Sequence, residues 1–376
     1  MRILFLNPFF YPYQGGTEKH LLEVGKWLAK KYEVGILTAQ IEGTKEEEII
    51  EGIHVFREPA KIYYSLPHPF PPPAPVFKDH QKELKKYVNE YDIIHVHNRF
   101  IYGMNDAALV KKCGKKLALT LHNARPKNID LITDISGGLY DDLIAKQFMY
   151  ACDGIAAVSK DTLISTIPTA YKGKTAVIHN GVDSELFKPD RTDEWKEKLK
   201  ITNKMVLTNA RLLPQKGMRY LIDAMGKVPS ATLVIFGRGP LKKQLEEQAE
   251  KKKIRVCFIT EKISDEELAK LYNSADCFVL PSLYEPLGIV LLEAMACGLP
   301  IVTTNAGGNT ELIEEKKGGF IVPIKNSNAL AESINVLVTD ENRAHNYGDY
   351  NRKQILAQYT WDHVAKDVER FYKAIL

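Results

Sequence analysis

Two glutamates, Glu285 and Glu293, lie on either side of a predicted helix start in the run SLYEPLGIVLLEAMACGLP, residues 282 to 300. Pro286 suits the first turn of that helix, because the N–H that proline lacks would have no helical partner there. The other N–H groups of a first turn are unpaired, so they can bind an anion such as a diphosphate. The residues that would supply them are Leu287, Gly288, Ile289 and Val290.

The two carboxylates predict hydroxyl groups beside that anion. A carboxylate repels phosphate, but it accepts paired hydrogen bonds from the vicinal hydroxyls of a sugar or a ribose. Gly288 has no side chain that would block the approach of a phosphate. A diphosphate between two sets of hydroxyls describes an activated sugar. The alternative is an ordinary helix, since LLEAMA is a good helix former and glutamates at this spacing are common.

Two basic residues, Arg211 and Lys216, lie where a predicted strand ends and a helix opens in NARLLPQKGMRYLIDAM. Glycosyl transfer builds negative charge on the departing phosphate, and a fixed guanidinium and ammonium would stabilise that charge. The alternative is a solvated basic pair on a surface loop, which is the usual state of arginine and lysine. Gly217 and the position at a strand end favour the functional interpretation.

Glycines and one histidine follow predicted strands elsewhere. Gly15 and Gly16 follow the first strand, where they let the backbone approach a phosphate or a sugar, and Thr17 is suited to cap the next helix. Gly237 follows a strand of the second half, in VIFGRGP, and such glycines often form only a turn. His122 follows the strand KLALTL, at a sheet edge where ligands usually bind, although a lone histidine is normally structural.

The sequence predicts no metal site and no bound cofactor. No Asp-x-Asp pair occurs, and the compact candidate is His95-x-His97, whose side chains would share one face of a strand. No neighbouring third ligand is apparent, so we interpret the pair as a partly buried strand end. The five cysteines are widely spaced and form no C-x-x-C, which argues against a zinc site or a disulfide framework and favours the cytoplasm.

Length and charge exclude several classes of protein. A chain of 376 residues, 45% of them apolar, is long enough for two hydrophobic cores. The net charge of +4, from 51 basic and 47 acidic residues, is too balanced to indicate a nucleic-acid partner. No run of about 18 apolar residues would span a membrane. We therefore expect a soluble cytoplasmic protein, or one that contacts a membrane only at its surface.

Short apolar strands alternate with helical patterns along the chain, which predicts an α/β protein with parallel sheets. Two series of strands predict two Rossmann-like domains, residues 1–187 and 188–358, with a polar boundary at FKPDRTD. Residues 359–376 form a last amphipathic helix that needs a surface to cover. We interpret the proline-rich stretch at residues 65–77 as a stiff connector, with an exposed recognition segment as the alternative.

Together these motifs resemble the donor-site signature of the family 4 glycosyltransferases. The matching elements are Ser-x-x-Glu-x-x-Gly and Glu-Ala-Met-Ala-x-Gly-x-Pro, the IVTTNAGGNTELI that follows them, and the Arg-Leu-x-x-x-Lys-Gly that begins at Arg211. The resemblance covers nearly the whole chain. It implies the GT-B fold, in which two Rossmann-like domains face each other across a cleft and the last helix crosses back to the first domain.

The resemblance also implies a role for each charged residue of the two main motifs. Glu285 would hold hydroxyls of the transferred sugar, and Glu293 those of the donor ribose. Arg211 and Lys216 would stabilise the leaving diphosphate, which such enzymes generally hold without a divalent ion. These roles differ from those of the nucleophile and acid in a retaining glycosidase.

Three further positions have implied roles. His122 would lie near the reacting sugar, where it would hydrogen-bond that sugar or position the acceptor. The loop with Gly15 and Gly16 would meet the diphosphate and the transferred sugar. The Gly237 loop would lie beside the nucleotide.

The implied reaction moves a hexose, with retained configuration, from a UDP- or GDP-linked sugar to a hydroxyl of a glycan, glycolipid or small molecule. The departing phosphate would accept the proton of that hydroxyl, so no covalent enzyme intermediate is needed. A nucleotide-sugar epimerase, a sugar phosphorylase and a non-catalytic nucleotide-sugar sensor of the same fold are the alternatives. Loss of the charged site residues would be expected of a sensor, and they are all present.

The acceptor is predicted to bind in the first domain, because the donor motifs concentrate after Arg211. Sugars stack well on aromatic faces, and loops on a rigid sheet are where such specificity normally resides. The candidates to stack on the acceptor are Phe9, Phe10, Tyr11 and Tyr13. An alternative of equal weight is that these side chains only pack the loop.

Overall fold

The chain divides into two units. The computed structural model describes residues 1–64, 66, 73–127 and 131–376. The first unit comprises Met1–Asn180 and Trp361–Leu376, and the second comprises Gly181–Thr360. The division falls earlier than the polar stretch that begins at residue 187, because the chain after Asn180 pairs within the second unit. The backbone N–H of Val182 donates to the Tyr359 carbonyl oxygen at 2.9 Å.

The first unit is built on a mostly parallel sheet. Its described strands are β1 (Arg2–Leu6), β2 (Glu33–Ala39), β3 (Glu47–Ile50), β4 (Ile53–Glu58), β5 (Ala60–Tyr63), β6 (Ala74–Phe77), β7 (Ile93–Val96), β8 (Lys116–Leu121), β9 (Gly154–Ala157) and β10 (Lys174–Val177). The main sheet has the order β10-β9-β8-β7-β1-β2-β4-β3, in which only β3 is antiparallel. The buried apolar runs that predict strands therefore form a sheet covered on both faces.

Helices connect these strands and cover the sheet. They are α1 (Gly16–Leu28), α2 (His80–Tyr87), α3 (Met104–Lys112), α4 (Leu131–Tyr140), a π-helical segment (Asp141–Ala145), α5 (Lys146–Ala151) and α6 (Lys160–Thr166). The helix α1 begins at Gly16 with Gly15 as its N-cap, so Thr17 lies inside the first turn and does not cap the helix as predicted. No helix among the described ranges of the chain has the length and apolar character needed to cross a membrane.

The second unit contains a fully parallel sheet. Its strands are β11 (Lys204–Asn209), β12 (Ala231–Phe236), β13 (Val256–Ile259), β14 (Cys277–Leu280), β15 (Ile301–Thr304) and β16 (Gly319–Val322). They lie in the order β13-β12-β11-β14-β15-β16, which is the Rossmann order 3-2-1-4-5-6. The order reverses between β11 and β14, where ligands of such sheets bind beyond the carboxyl ends of the strands.

The helices of the second unit lie between and after these strands. They are α7 (Glu194–Lys198), a 3-10 turn (Pro214–Lys216), α8 (Met218–Met225), α9 (Lys242–Lys251), α10 (Asp265–Ser274), α11 (Ile289–Ala296), α12 (Asn309–Leu312), α13 (Ser327–Thr339) and α14 (Glu341–Gln358). The prediction that Pro286 opens a helix is wrong, because α11 begins three residues later with Gly288 as its N-cap.

Part of the proline-rich stretch is a strand and not an extended connector. Ala74–Phe77 pairs antiparallel with Ala60–Tyr63. Proline within sheets is confined largely to edge strands, and both strands of a two-stranded sheet are edges, so Pro75 is compatible with that pairing. Residues 65 and 67–72 lie outside the described residues.

The last helix, α15 (Trp361–Ile375), belongs to the first unit and packs on α1, β9 and β10. Its buried face includes Phe371 and Tyr372, in the same apolar cluster as the strands β1 and β2. Gly154 in β9 makes this packing possible, because a Cβ atom there would lie 2.8 Å from the Phe371 ring. The amphipathic pattern of this helix therefore covers part of the core of the first unit.

Replacing Phe371 with alanine is expected to lower the free energy of unfolding of the first unit by about 3–5 kcal/mol, the usual cost of deleting a buried phenylalanine. Urea denaturation followed by circular dichroism measures the change. Leu376→Ala is the control, because that side chain is 59% exposed and follows α15. Equal stability of the two variants would show that α15 is not part of the core.

Candidate functional site

The predicted cations and Glu285 lie on neighbouring loops of the second unit. Arg211 and Lys216 follow β11, and Glu285 follows β14. The strands β11 and β14 are direct partners, with Val206 opposite Cys277 in the register. The two loops therefore leave the same edge of the sheet at the point where the strand order reverses, as expected for a ligand site.

Gly217 brings these two loops into contact. Its φ of +66° is left-handed, and a Cβ atom at this position would overlap the carbonyl oxygen of Pro281. The approach is fixed by a backbone hydrogen bond, in which the Leu283 N–H donates to the Gln215 carbonyl at 2.7 Å. Only glycine meets both requirements without strain, so this residue positions the turn that carries Lys216.

Lys216 and Glu285 form an ion pair that the sequence analysis did not foresee. The Lys216 Nζ lies 2.5 Å from Glu285 Oε2, and the Ser282 hydroxyl donates to the same oxygen at 3.1 Å. Both side chains are largely buried, 17% and 8% exposed. Within the described residues, neither contact uses Oε1. Glu285 is thus held in place by one oxygen while the other is available to a ligand.

Arg211 differs from Lys216. Its side chain is exposed, and none of the residues that the structure describes forms a hydrogen bond or ion pair with its guanidinium. A cation in this state keeps its full capacity to bind an anion.

Glu293 is held from a different direction. The Tyr272 hydroxyl donates to Glu293 Oε2 at 2.8 Å, and the Asn209 side-chain amide donates to the Tyr272 oxygen at 3.0 Å. Burial and the neighbouring Glu293 carboxylate raise the pKa of the Tyr272 phenol well above its usual range. Sequence analysis missed Tyr272 and Asn209. Only the position of Asn209 at the end of β11 could have indicated it.

The start of α11 offers unpaired backbone donors, as predicted from the sequence. Within the described part of the chain, no group accepts a hydrogen bond from four consecutive N–H groups, those of Leu287, Gly288, Ile289 and Val290. A diphosphate is the kind of anion that such a row of donors binds.

The role of Gly288 differs from the one predicted. A Cβ atom there would lie 2.9 Å from Leu280 Cδ2 and 3.0 Å from Asn309 Oδ1. The space is therefore filled by protein, so this glycine allows α11 to pack closely on β14 and α12 and does not open a path for a phosphate.

Gly237 lets the loop after β12 lie against the loop that carries Arg211. Its φ is +147°, and a Cβ atom there would overlap the carbonyl oxygen of Ala210. The Gly237 N–H donates to the Ile259 carbonyl at 3.0 Å. The close approach to Ala210 and the positive φ explain why this position is a glycine. Contact of the Gly237 loop with a nucleotide stays a prediction.

In the first unit, three histidines converge that are far apart in the sequence. His20 lies in α1, His97 follows β7 and His122 follows β8. One ring nitrogen from each lies within 4.8 Å of the other two. The prediction that His95 and His97 have no third ligand nearby is therefore wrong for His97. The fold brings together side chains from three βα segments, which spacing along one strand cannot show.

His95 has a structural role. Its Nδ1 lies 2.6 Å from the Tyr372 hydroxyl and its Nε2 lies 2.8 Å from the Thr120 hydroxyl, so both ring nitrogens are occupied. The ring is 1% exposed, more buried than predicted. Burial, with the charge of His20, lowers the pKa of His95 to about 3.

The glycines at the start of α1 are close to a buried carboxylate that sequence analysis missed. A Cβ atom at Gly15 would overlap Glu18 Oε2, whereas Gly16 is exposed as the first residue of the helix. Glu18 is 7% exposed and accepts a hydrogen bond from the Asn7 side chain at 3.1 Å. Burial raises the pKa of this carboxyl group.

The aromatic candidates for the acceptor divide into two pairs. Phe9 and Phe10 are buried, 6% and 1% exposed, so the loop-packing interpretation applies to both. Tyr11 and Tyr13 are partly exposed, and the Tyr13 ring stacks on Phe9 with centroids 4.7 Å apart. Only the two tyrosines present aromatic surface to solvent.

Two α/β units with parallel sheets, one in Rossmann order with polar loops at its switch point, define a two-domain Rossmann-type protein. The family model for Glycosyltransferase Family 4 matches residues 14–186, and that for Glycosyl transferases group 1 matches residues 189–354. The chain belongs to the family 4 glycosyltransferases, and its fold is GT-B.

Individual relatives are similar to this chain over nearly its full length. An uncharacterized glycosyltransferase of Methanocaldococcus jannaschii is 31% identical over 96% of this chain and 94% of its own. Spore coat protein SA of Bacillus subtilis is 29% identical with the same coverage. Among solved structures, the HepE protein of Anabaena, in complex with UDP-glucose, is 22% identical and superposes with a TM-score of 0.79 over 99% of both chains.

The contact made by Gly217 gives a prediction about stability. Gly217→Ala is expected to destabilise the second unit by roughly 2–5 kcal/mol, because alanine adds left-handed strain of about 1–2 kcal/mol to the overlap with Pro281. The matched control is Gly114→Ala, because Gly114 has a φ of +67° and a Cβ atom there would have no neighbouring atom within 4 Å. Urea denaturation of both variants measures the difference. An equal loss in both would mean that the Pro281 contact contributes nothing.

Proposed function

We propose that this protein is a retaining glycosyltransferase that moves a hexose from a nucleoside diphosphate sugar to an acceptor hydroxyl. The observation that carries the proposal is the Lys216–Glu285 pair. The same unit has an exposed arginine, Arg211, on the loop that carries Lys216, and a row of N–H groups at residues 287–290 that are unpaired within the described residues. Such a site combines anion donors with a fixed hydroxyl acceptor. The complex of the Anabaena protein with UDP-glucose supports a donor of this class.

The diphosphate is proposed to bind to the cations and to the start of α11. Arg211 and Lys216 supply positive charge, and the N–H groups of residues 287–290 supply hydrogen bonds. The contact with Glu285 fixes the Lys216 ammonium before the donor arrives, so little reorganisation is needed as charge develops on the leaving group. We propose the loops of Gly15–Gly16 and Gly237 as additional neighbours of the donor.

The sugar rings of the donor are proposed to bind to the two glutamates. Glu285 accepts hydrogen bonds from the transferred hexose through Oε1, because Oε2 is already bonded to Lys216 and Ser282. Glu293 accepts hydrogen bonds from the ribose of a UDP or GDP donor. A carboxylate fixed in this way serves as an acceptor of hydroxyl bonds and not as a nucleophile.

The proposed chemical step occurs on one face of the sugar. The bond from the anomeric carbon to the phosphate oxygen breaks, and a bond to the acceptor oxygen forms on the same face. The departing phosphate takes the proton of the acceptor hydroxyl, so the atoms balance without a protein base. The acceptor is a glycan, a glycolipid or a small molecule. Tyr11 and Tyr13, which are partly exposed, are the candidates to stack on it.

His122 is proposed to position the reacting sugar as a neutral imidazole. Burial, with the charges of His20 and His95, lowers its pKa well below the usual range. A neutral ring donates from one nitrogen and accepts at the other, which suits a hydroxyl group.

Location in the cytoplasm and contact with a membrane surface stay predictions from the sequence.

The first functional prediction concerns the donor site. Arg211→Ala and Glu285→Gln are each expected to reduce hexosyl transfer by about 100-fold, because one preorganised partner of the reacting donor is worth roughly 3 kcal/mol. A thermal-shift screen of UDP- and GDP-sugars identifies the donor, and donor consumption with and without acceptors measures turnover. Arg219→Ala, another exposed arginine of the same unit, is the control.

Three results would contradict this proposal. Full activity in folded Arg211→Ala and Glu285→Gln variants would exclude the assigned site. Binding of a nucleotide sugar with no turnover on any acceptor would favour a non-catalytic sensor, and inversion of a sugar centre without transfer would favour an epimerase.

The second functional prediction concerns metals. Transfer is expected to continue in excess EDTA at the untreated rate, because Arg211, Lys216 and the N–H groups of α11 supply the charge stabilisation that a divalent ion otherwise gives. Initial rates with EDTA, Mg²⁺ or Mn²⁺ test this expectation. A rate that falls to background in EDTA and returns with Mg²⁺ would overturn the metal-free mechanism.

A further inference from the structure

We propose that His20, His97 and His122 form a binding site for a divalent transition-metal cation of the zinc class. One ring nitrogen from each lies within 4.8 Å of the others. Three histidines are an established ligand set for zinc. This binding inference does not rest on the proposed transfer reaction.

A buried nitrogen without a partner points to a ligand. The Nε2 atom of His97 is inaccessible to solvent and has no hydrogen-bond partner among the described residues, in a residue that is 4% exposed. The other nitrogen, Nδ1, lies 3.0 Å from His122 Nε2. In either tautomer, His97 therefore buries a bare lone pair or an unused N–H, and both are costly. A bound cation would use the lone pair.

A hydrogen bond to Asn180 orients the His20 ring so that its other nitrogen can bind the cation. Its Nδ1 lies 3.0 Å from the side-chain oxygen of Asn180, which can only accept, so Nδ1 carries the proton. Nε2 is then the nitrogen with the free lone pair. Metal-binding histidines are commonly fixed in this way, by donating the other ring N–H to a neighbouring oxygen.

Burial favours the neutral form of the three rings. A histidine must be neutral to bind a metal. Burial lowers the pKa of His20 to about 4, although its bond to Asn180 acts in the opposite direction. Burial and the neighbouring histidines hold the pKa values of His97 and His122 well below the usual range.

The required movement is small. Tetrahedral zinc with bonds of about 2.0–2.1 Å places ligand nitrogens about 3.3 Å apart. The nitrogens lie within 4.8 Å of one another, so rotation of the rings must bring them closer by at most about 1.5 Å and replace the His97–His122 bond. Imidazole ligands favour Zn²⁺, Ni²⁺ or Cu²⁺ and not Mg²⁺ or Ca²⁺. His95 would not take part, because both of its ring nitrogens are occupied.

Occupancy of this site would have a functional consequence, which does rest on the proposed reaction. A cation bound to His122 would hold the ring that is proposed to position the reacting sugar. Zinc would then inhibit transfer, whereas removal of all metals would leave the activity intact.

The test is a titration of the full-length, EDTA-stripped protein with ZnCl₂ by calorimetry and with CoCl₂ by absorption spectroscopy. We expect one ion per chain, a visible Co²⁺ spectrum of low-coordinate geometry, and a higher melting temperature with Zn²⁺. His97→Gln and His20→Gln should weaken binding by more than 100-fold, and Asn180→Ala by about 10- to 100-fold, the usual effect of losing an orienting partner. MgCl₂ should give no signal.

The control variant is His54→Gln, because His54 is an exposed histidine of the same unit. It should bind zinc as the wild type does. The site would be excluded if 100 µM Zn²⁺ gave no stoichiometric binding, or if the folded His97→Gln and His20→Gln proteins bound as tightly as the control. Retained zinc binding without inhibition of transfer would leave the metal site valid and overturn the role of His122.

Discussion

The reversal of strand order between β11 and β14 is the constraint on which the candidate site depends. Helices that follow β11 and β14 turn to opposite faces of the sheet, so the loops between strand and helix separate and leave a crevice at the carboxyl edge. Side chains at that edge are positioned by rigid strands while remaining open to a ligand. The turn at Gly217 then brings the two loops together, so that Lys216 from one side of the crevice contacts Glu285 from the other.

Much of this arrangement could be predicted from the sequence, because its causes are local. Apolar runs between helical patterns determine the parallel sheets, and the Rossmann order then puts Arg211 and Glu285 on neighbouring loops. Family resemblance assigned the same residues from their motifs, and the family matches confirm the fold. Local rules located helix starts less well, since α11 begins at Ile289 and Pro286 lies outside its first turn.

The contacts that could not be predicted connect residues far apart in the chain. Lys216 and Glu285 are separated by 69 positions, and the pair depends on a backbone approach that no composition reveals. Tyr272 donates a hydrogen bond to Glu293 from another helix. Nothing in the sequence around Tyr272 distinguishes it from an aromatic residue that only packs in the core. The three histidines converge only after three βα segments have been placed side by side.

The position of α15 has a consequence for biosynthesis. The ribosome completes Met1–Asn180 first, but the helix that covers its apolar face is encoded after Gly181–Thr360. At roughly 5–20 residues per second, synthesis of the residues after Asn180 takes about 10–40 s, and the core of the first unit lacks α15 for that time. Tyr372, the hydrogen-bond partner of His95, is then also missing. The second unit, which is contiguous in the chain, can close as soon as it leaves the exit tunnel. The emerging chain therefore exposes its N-terminal half to chaperones and proteases for the longer time.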